Sequence, residues 1–351
     1  MQALVTVPGA AHSTAVADVP EPRAGFGDVI VRTLEVGVCG TDREISEGLF
    51  GVAPAGEDRL VLGHELLGVV ERGGGGFARG DLVAATVRRS CGHCAACAEG
   101  APDACDTGDY SERGITRLHG FASELVVESA QHLVAVPASV GRLGVLAEPA
   151  SICARAIRHT RAVGRRQPWS PRRALVLGTG AIGMLTTYFL RLDGFDVWAA
   201  GRSPAGTEKG RLVEACGARY VSTAETPLAE LAEATGGFDI VVEAAGNAQL
   251  MLDAVSLLRR NGVACLLGLD GRPQRLSIEG RVFGVDMILQ NRAIVASVNA
   301  HHTDWLAAVE HLEAARARWP EALDAFVGLR VGLDEFAEAF AFRGVKATLR
   351  L

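Results

Sequence analysis

The chain has 351 residues, 48% of them hydrophobic, and a formal net charge of −6. That length predicts two domains, the acidic balance excludes an extended nucleic-acid surface, and no apolar run approaches the ~20 residues that cross a bilayer. The basic cluster RRQPWSPRR at 165–173 reads as an exposed connector. The start, MQALVTVPGA, lacks a basic-then-apolar leader, so a cytoplasmic location with reduced thiols is expected. Lysine occurs only at 209 and 346 among 35 basic residues, against the Lys/Glu enrichment of hyperthermophile proteins.

In chain order, the first 150 or so residues alternate short apolar runs with Gly, Pro and Asp: ALVTV, DVIVRTLEVGV, LLGVVERGGGG, DLVAATV, ASELVV. This predicts short antiparallel strands joined by turns. From about 155 the rhythm changes to RALVLG, GMLTTYFLRLDG, DVWAAG, GRLVEACG, FDIVVEAAG, MLDAVSLLRRNG and VACLLGL. Strands alternating with helices predict βαβ units and a parallel sheet. After 298, DWLAAVEHLEAARARW has helical spacing and strand-like pieces follow. The expected architecture is α/β: a β-rich domain over 1–154, a doubly wound domain over 155–298, and a return to the first domain over 299–351.

Within the β-rich part, CGHCAACAEGAPDAC at 91–105 holds four of the eight cysteines. A disulfide staple suits small secreted domains, and this chain is long enough to build a core. Reduced thiols spaced C-x2-C-x2-C-x7-C can converge on one tetrahedral zinc. Cys91, Cys94, Cys97 and Cys105 would fill every position, making that zinc structural. His93 is then a loop residue.

RALVLGTGAIGML contains Gly178-Thr179-Gly180-Ala181-Ile182-Gly183, a G-x-G-x-x-G placed after a strand and opening a helix. That context predicts a pyrophosphate held at the helix N-terminus. An NAD site offers a carboxylate at the tip of the next strand to accept from the ribose hydroxyls. Here that tip is Gly201-Arg202-Ser203. A guanidinium and a hydroxyl suit a 2′-phosphate, so NADP is expected, with NAD possible. The plain alternative is that Arg202 is a surface arginine. An aspartate at 201 would supply the missing acceptor.

Ligand-type residues also occur in VCGTD (Cys39, Thr41, Asp42), LGHELLG (His64, Glu65) and LAEPAS (Glu148). CGTD, GHE, GD at 80–81, the four-cysteine run, EP and GTGAIG follow one another through nearly the whole chain. Together they resemble the zinc-dependent medium-chain dehydrogenase/reductase superfamily. CGTDREISEGLFG, TGDYSERGI and ASVNAHHTDW resemble its archaeal-type glucose dehydrogenases.

The resemblance implies a GroES-like catalytic domain around a Rossmann domain, two zincs per chain and hydride transfer from a sugar hydroxyl, glucose C1 first, to NADP. It implies Cys39 and His64 as catalytic-zinc ligands, with Glu65 or Glu148 bound directly or through water. Thr41 would pass the substrate proton outward and Asp42 would orient His64. Glu112 and Asn299 would contact sugar, Asn299 also facing the nicotinamide. Another polyol, sugar derivative or aminocyclitol as substrate, or a non-catalytic zinc and dinucleotide sensor, are the alternatives. A homo-oligomer, dimer or tetramer, is expected.

Overall fold

The computed structural model describes residues 1–25 and 27–351. They form two compact units. The first comprises Met1–Ser151, Asn299–Glu313 and Asp324–Leu351, the second Ile152–Val298 and Ala314–Leu323. The tail after 298 therefore does not return whole to the first domain, as the sequence suggested. Trp319 is the reason: its ring packs edge-on against Tyr188 of the second unit, centroids 5.3 Å apart, an arrangement aromatic rings favour.

The first unit is built on a seven-stranded sheet in the order Leu133–Ala135, Leu82–Ala85, Glu65–Arg72, Asp28–Val38, Lys346–Arg350 and Val327–Gly332, with Leu125–Ser129 also pairing with Asp28–Val38. Most pairings are antiparallel; only Val327–Gly332 runs parallel to Lys346–Arg350. Asp28–Val38 begins with one face buried and the other open, then buries every residue from Glu35 to Val38. At that doubly buried end, Gly37 faces Glu65 on one neighbouring strand and Val38 faces Ala347 on the other. Val31, Val36, Leu66, Phe121 and Leu349 belong to the core beneath.

The second unit is a six-stranded sheet in the order Arg219–Ser222, Asp196–Gly201, Arg173–Leu177, Phe238–Glu243, Leu258–Leu266, Ala293–Ala296. All of its pairings are parallel. Phe238–Glu243 is buried at every position, as a central parallel strand covered on both faces must be. The strand order reverses at Arg173–Leu177, and in such sheets ligands bind at the strands' C-terminal ends beside that reversal. The glycine-rich turn follows this strand. Among the described residues, no helix is long and apolar enough to cross a membrane.

Candidate metal and dinucleotide sites

Cys39 caps the short helix Gly40–Ser46. Its thiol accepts from Thr41 N at 3.2 Å, and the Asp42 carboxylate reaches back to accept from Cys39 N at 2.8 Å. The thiolate is the form that binds metals. His64, buried to 3% exposure, sets Nε2 3.1 Å from Cys39 Sγ and Nδ1 3.4 Å from Asp42 Oδ1. Asp42 so placed favours a proton on Nδ1, and Nε2, the nitrogen a metal would take, faces the Cys39 sulfur.

Glu65 follows in the chain, and ligand atoms of Cys39, His64 and Glu65 lie within 4.8 Å of one another. Glu148, at the start of the helix Ala147–Gly164, stands outside that group. Burial, together with the neighbouring negative charge of Glu65, pushes its carboxyl up to about 7, against the pull of His64 and Lys346. Burial also opposes charge on His64, yet Cys39 and Asp42 hold its imidazole well above the ordinary value. Burial leads the first displacement, and the acidic neighbours Cys39 and Asp42 produce the second. A divalent cation is the charge this donor set lacks, and one thiolate, one imidazole and carboxylate oxygen are ligands zinc accepts with a position left over.

Lys346, not anticipated from the sequence, lies behind this group. It is 2% exposed, and its ammonium donates to Glu65 at 2.7 and 2.6 Å and to Val38 O at 3.3 Å. A β-carbon on Gly37, on the strand between them, would overlap Glu65 Oε2, so the glycine opens the space in which the pair meets. A lysine within apolar GVKATLRL of so arginine-rich a chain was the available signal.

In the lobe, Cys91 and Cys97 sulfurs are 3.9 Å apart and those of Cys94 and Cys105 are 4.0 Å apart, with all four within 4.8 Å. All eight cysteines are free. A disulfide would require about 2.05 Å. Four Zn–S bonds of ~2.3 Å in a tetrahedron place sulfurs about 3.8 Å apart. The cluster fits zinc and leaves no fifth donor to find.

Glu112 and Asn299 lie beside the lobe. Arg88 donates to Glu112 Oε1 from Nε and Nη2, each at 3.0 Å. Asn299 Nδ2 reaches Asp103 O at 3.5 Å.

In the second unit, Gly178 adopts φ +110°, a conformation that L side chains rarely take. A β-carbon on Gly183 would overlap Gly178 O, whereas one on Gly180 meets nothing within 4 Å. The first glycine makes the turn, the third lets helix pack on strand, and the second leaves open backbone before the helix Ala181–Leu192. That open N-terminus fits a pyrophosphate. Thr179, Ala181 and Ile182 complete the loop. At the next strand's tip, Arg202 is exposed and Ser203 half-buried. Tyr220 Oη donates to Ser203 O at 2.7 Å, tying this tip to the adjacent strand.

Comparison with known proteins agrees with both halves. The profile of the alcohol dehydrogenase GroES-like domain matches residues 25–138, and that of the glucose dehydrogenase C-terminus matches 141–349. A glucose 1-dehydrogenase of Methanocella arvoryzae is 41% identical over 342 residues, covering 96% of this chain and 95% of the relative. Glucose 1-dehydrogenase 1 of Caldivirga maquilingensis is 38% identical over 348 residues, covering 97% and 96%. The structure of Haloferax mediterranei glucose dehydrogenase in complex with NADP, Zn and gluconolactone superposes with a TM-score of 0.92 at 34% identity, covering 100% of this chain and 99% of that one. With its GroES-like half, its dinucleotide-binding half and these relatives along its length, the chain belongs to the zinc-dependent medium-chain dehydrogenase/reductase superfamily, on its glucose dehydrogenase branch.

Proposed function

We propose that this protein is a zinc-dependent glucose 1-dehydrogenase that passes the C1 hydride of an aldose to NADP. The observation that carries the reading is the buried Cys39–His64–Glu65 group, acidic and open to one more ligand, in a chain whose dinucleotide loop ends in Gly201-Arg202-Ser203 without a carboxylate. The Haloferax complex, with NADP, Zn and gluconolactone together, supports both the cofactor and the sugar.

When bound, zinc acts as a Lewis acid on the sugar hydroxyl and NADP accepts the hydride. Cys39 and His64 hold the metal, with Asp42 keeping His64 in the ligating tautomer. Glu65, whose oxygens also receive Lys346, or Glu148 completes the ligand set directly or through water in this reading. Thr41, half-buried beside Cys39, relays the hydroxyl proton outward. Glu112 and Asn299 would bind sugar hydroxyls. The loop 178–183 holds the pyrophosphate, and Arg202 and Ser203 take the 2′-phosphate.

The free thiols suit the cytoplasm. Leu276, Ile278, Val285, Ile288 and Leu289 are exposed ahead of the edge strand Ala293–Ala296. Exposed apolar side chains just ahead of an edge strand support a homo-oligomer, dimer or tetramer, which sedimentation measures.

Metal analysis with a substrate panel of glucose, galactose, xylose, sorbitol and inositols, each with NADP and NAD, tests the function. Two zincs per chain and NADP-dependent aldose turnover are expected. Turnover confined to polyols would replace the substrate. Tight zinc and NADP binding with no turnover on the panel would make the protein a sensor.

A further inference from the structure

The four-cysteine lobe and the two residues proposed to hold sugar are joined through one arginine and one carbonyl. Arg88 and Glu112 are direct cross-strand partners. The Arg88 guanidinium spends Nε and Nη2 on Glu112 Oε1, at 3.0 Å each, and Nη1 on Asp103 O at 3.2 Å. Its Cζ lies 3.9 Å from the Tyr110 ring centroid. Every edge and one face of the fork is used, and both contacts to Glu112 fall on Oε1, which leaves Oε2 for a ligand hydroxyl. Asp103 O also receives Asn299 Nδ2 at 3.5 Å, and His301 Nε2 lies 2.9 Å from Gly100 O in the same lobe. Asn299 has φ +64°, a left-handed backbone that asparagine adopts more readily than most residues.

Asp103 sits in the 3-10 turn Pro102–Ala104, whose last bond runs from Cys105 N to Pro102 O at 3.2 Å. The carbonyl that receives Arg88 and Asn299 is therefore two residues from a sulfur of the tetrathiolate. Apart from its turn and a four-residue helix, Ala95–Ala98, the lobe has no regular structure to fix that carbonyl once the metal is gone.

We infer that Arg88 is a positioning residue that transmits the lobe's metal-held shape to Glu112 and, with the shared Asp103 carbonyl, to Asn299, so that the lobe zinc tunes sugar binding as well as stability. This rests on the sugar-binding reading of Glu112 and Asn299. The link itself is geometric and is testable without turnover.

The first test is hydrogen exchange on wild type and Cys97→Ser, each purified with its remaining zinc. Faster exchange is expected at 111–113 and 299–301 as well as 91–105, with 178–183 unchanged. Acceleration confined to 91–105 would overturn the coupling whatever the substrate. The second test is kinetics on Arg88→Met and Arg88→Lys. A rise of roughly 10- to 100-fold in KM for the sugar is expected, with KM for NADP and zinc content at wild-type levels. Lysine should restore little, because a point charge cannot span Glu112 and Asp103 O together. In a Glu112→Gln background, Arg88→Met should add much less than it does alone. Additive effects, or equal losses for both substrates, would make Arg88 a general stabiliser and overturn the positioning role. Absence of sugar turnover in wild type would instead refute the proposed function, and hydrogen exchange would then decide the coupling alone.

Discussion

The ammonium of Lys346 lies 2.6 and 2.7 Å from the two carboxylate oxygens of Glu65, both side chains at least 98% buried, across a strand that carries glycine where they meet. The pair stands behind the Cys39–His64 group, and Lys346 sets a buried cation among its acids. Buried pairs are costly to assemble but costlier to halve, since removing one partner strands the other charge in a low dielectric.

Lys346→Met should therefore destabilise metal-free protein by about 3–5 kcal/mol. The loss should be smaller in zinc-loaded protein, where the orphaned Glu65 has a second cation within reach. Urea melts of both variants with and without zinc measure this. Equal stability of Lys346→Met and wild type in the metal-free state would show that the pair carries no such weight.

Gly37→Ala should cost about 1–3 kcal/mol, the usual range for overpacking, because the new methyl overlaps Glu65 Oε2. The cost should fall sharply in a Glu65→Ala background, where the space is vacated. A double-mutant cycle on melts reads the difference. Undiminished loss in that background would place the strain in the backbone instead.

How much of this was legible in the sequence depended on whether the signal was local. The four sulfurs of the lobe and the loop 178–183 are each encoded within fifteen residues or fewer, and their spacing alone carries the chemistry. Cys39, His64 and Glu65 come from two segments and gained meaning only in company. Lys346 lies 281 positions from Glu65, and Gly37 matters only because three strands pair in one register. Arg88 was invisible for the same reason: its partners are a cross-strand carboxylate and a backbone carbonyl, and the sequence names no carbonyl. Trp319 carried its short segment into the second unit through one aromatic contact that no periodicity announces.

The two metal groups should separate cleanly by stoichiometry. Cys97→Ser should lose one zinc together with thermal stability, since binding at a closed site is folding free energy. His64→Ala should lose the other zinc and nearly all turnover while keeping the fold and the lobe metal. Metal analysis beside a thermal melt distinguishes them. A Cys97→Ser protein lacking a zinc but melting like wild type would remove the structural role, and turnover by zinc-free His64→Ala would remove the catalytic one.

At the cofactor's adenosine end, the exposed Arg202 should clamp a 2′-phosphate by charge-assisted bonds worth on the order of 1.5–3 kcal/mol. Arg202→Ala should accordingly raise KM for NADP roughly 10- to 150-fold with little change for NAD. Space at position 201 is limited. A β-carbon there would stand 2.8 Å from Tyr220 Oη and 2.9 Å from Thr179 Oγ1, and Tyr220 is the residue that bonds Ser203 O. Gly201→Asp alone should thus disturb the loop and weaken both cofactors. Combined with Tyr220→Phe, which removes the crowded oxygen, the aspartate gains room and should improve NAD relative to NADP by supplying a ribose acceptor. Titrating both cofactors against wild type, Arg202→Ala, Gly201→Asp and the double variant resolves these steps. If Arg202→Ala weakens NAD and NADP equally, Arg202 contacts the dinucleotide in general and the 2′-phosphate assignment fails.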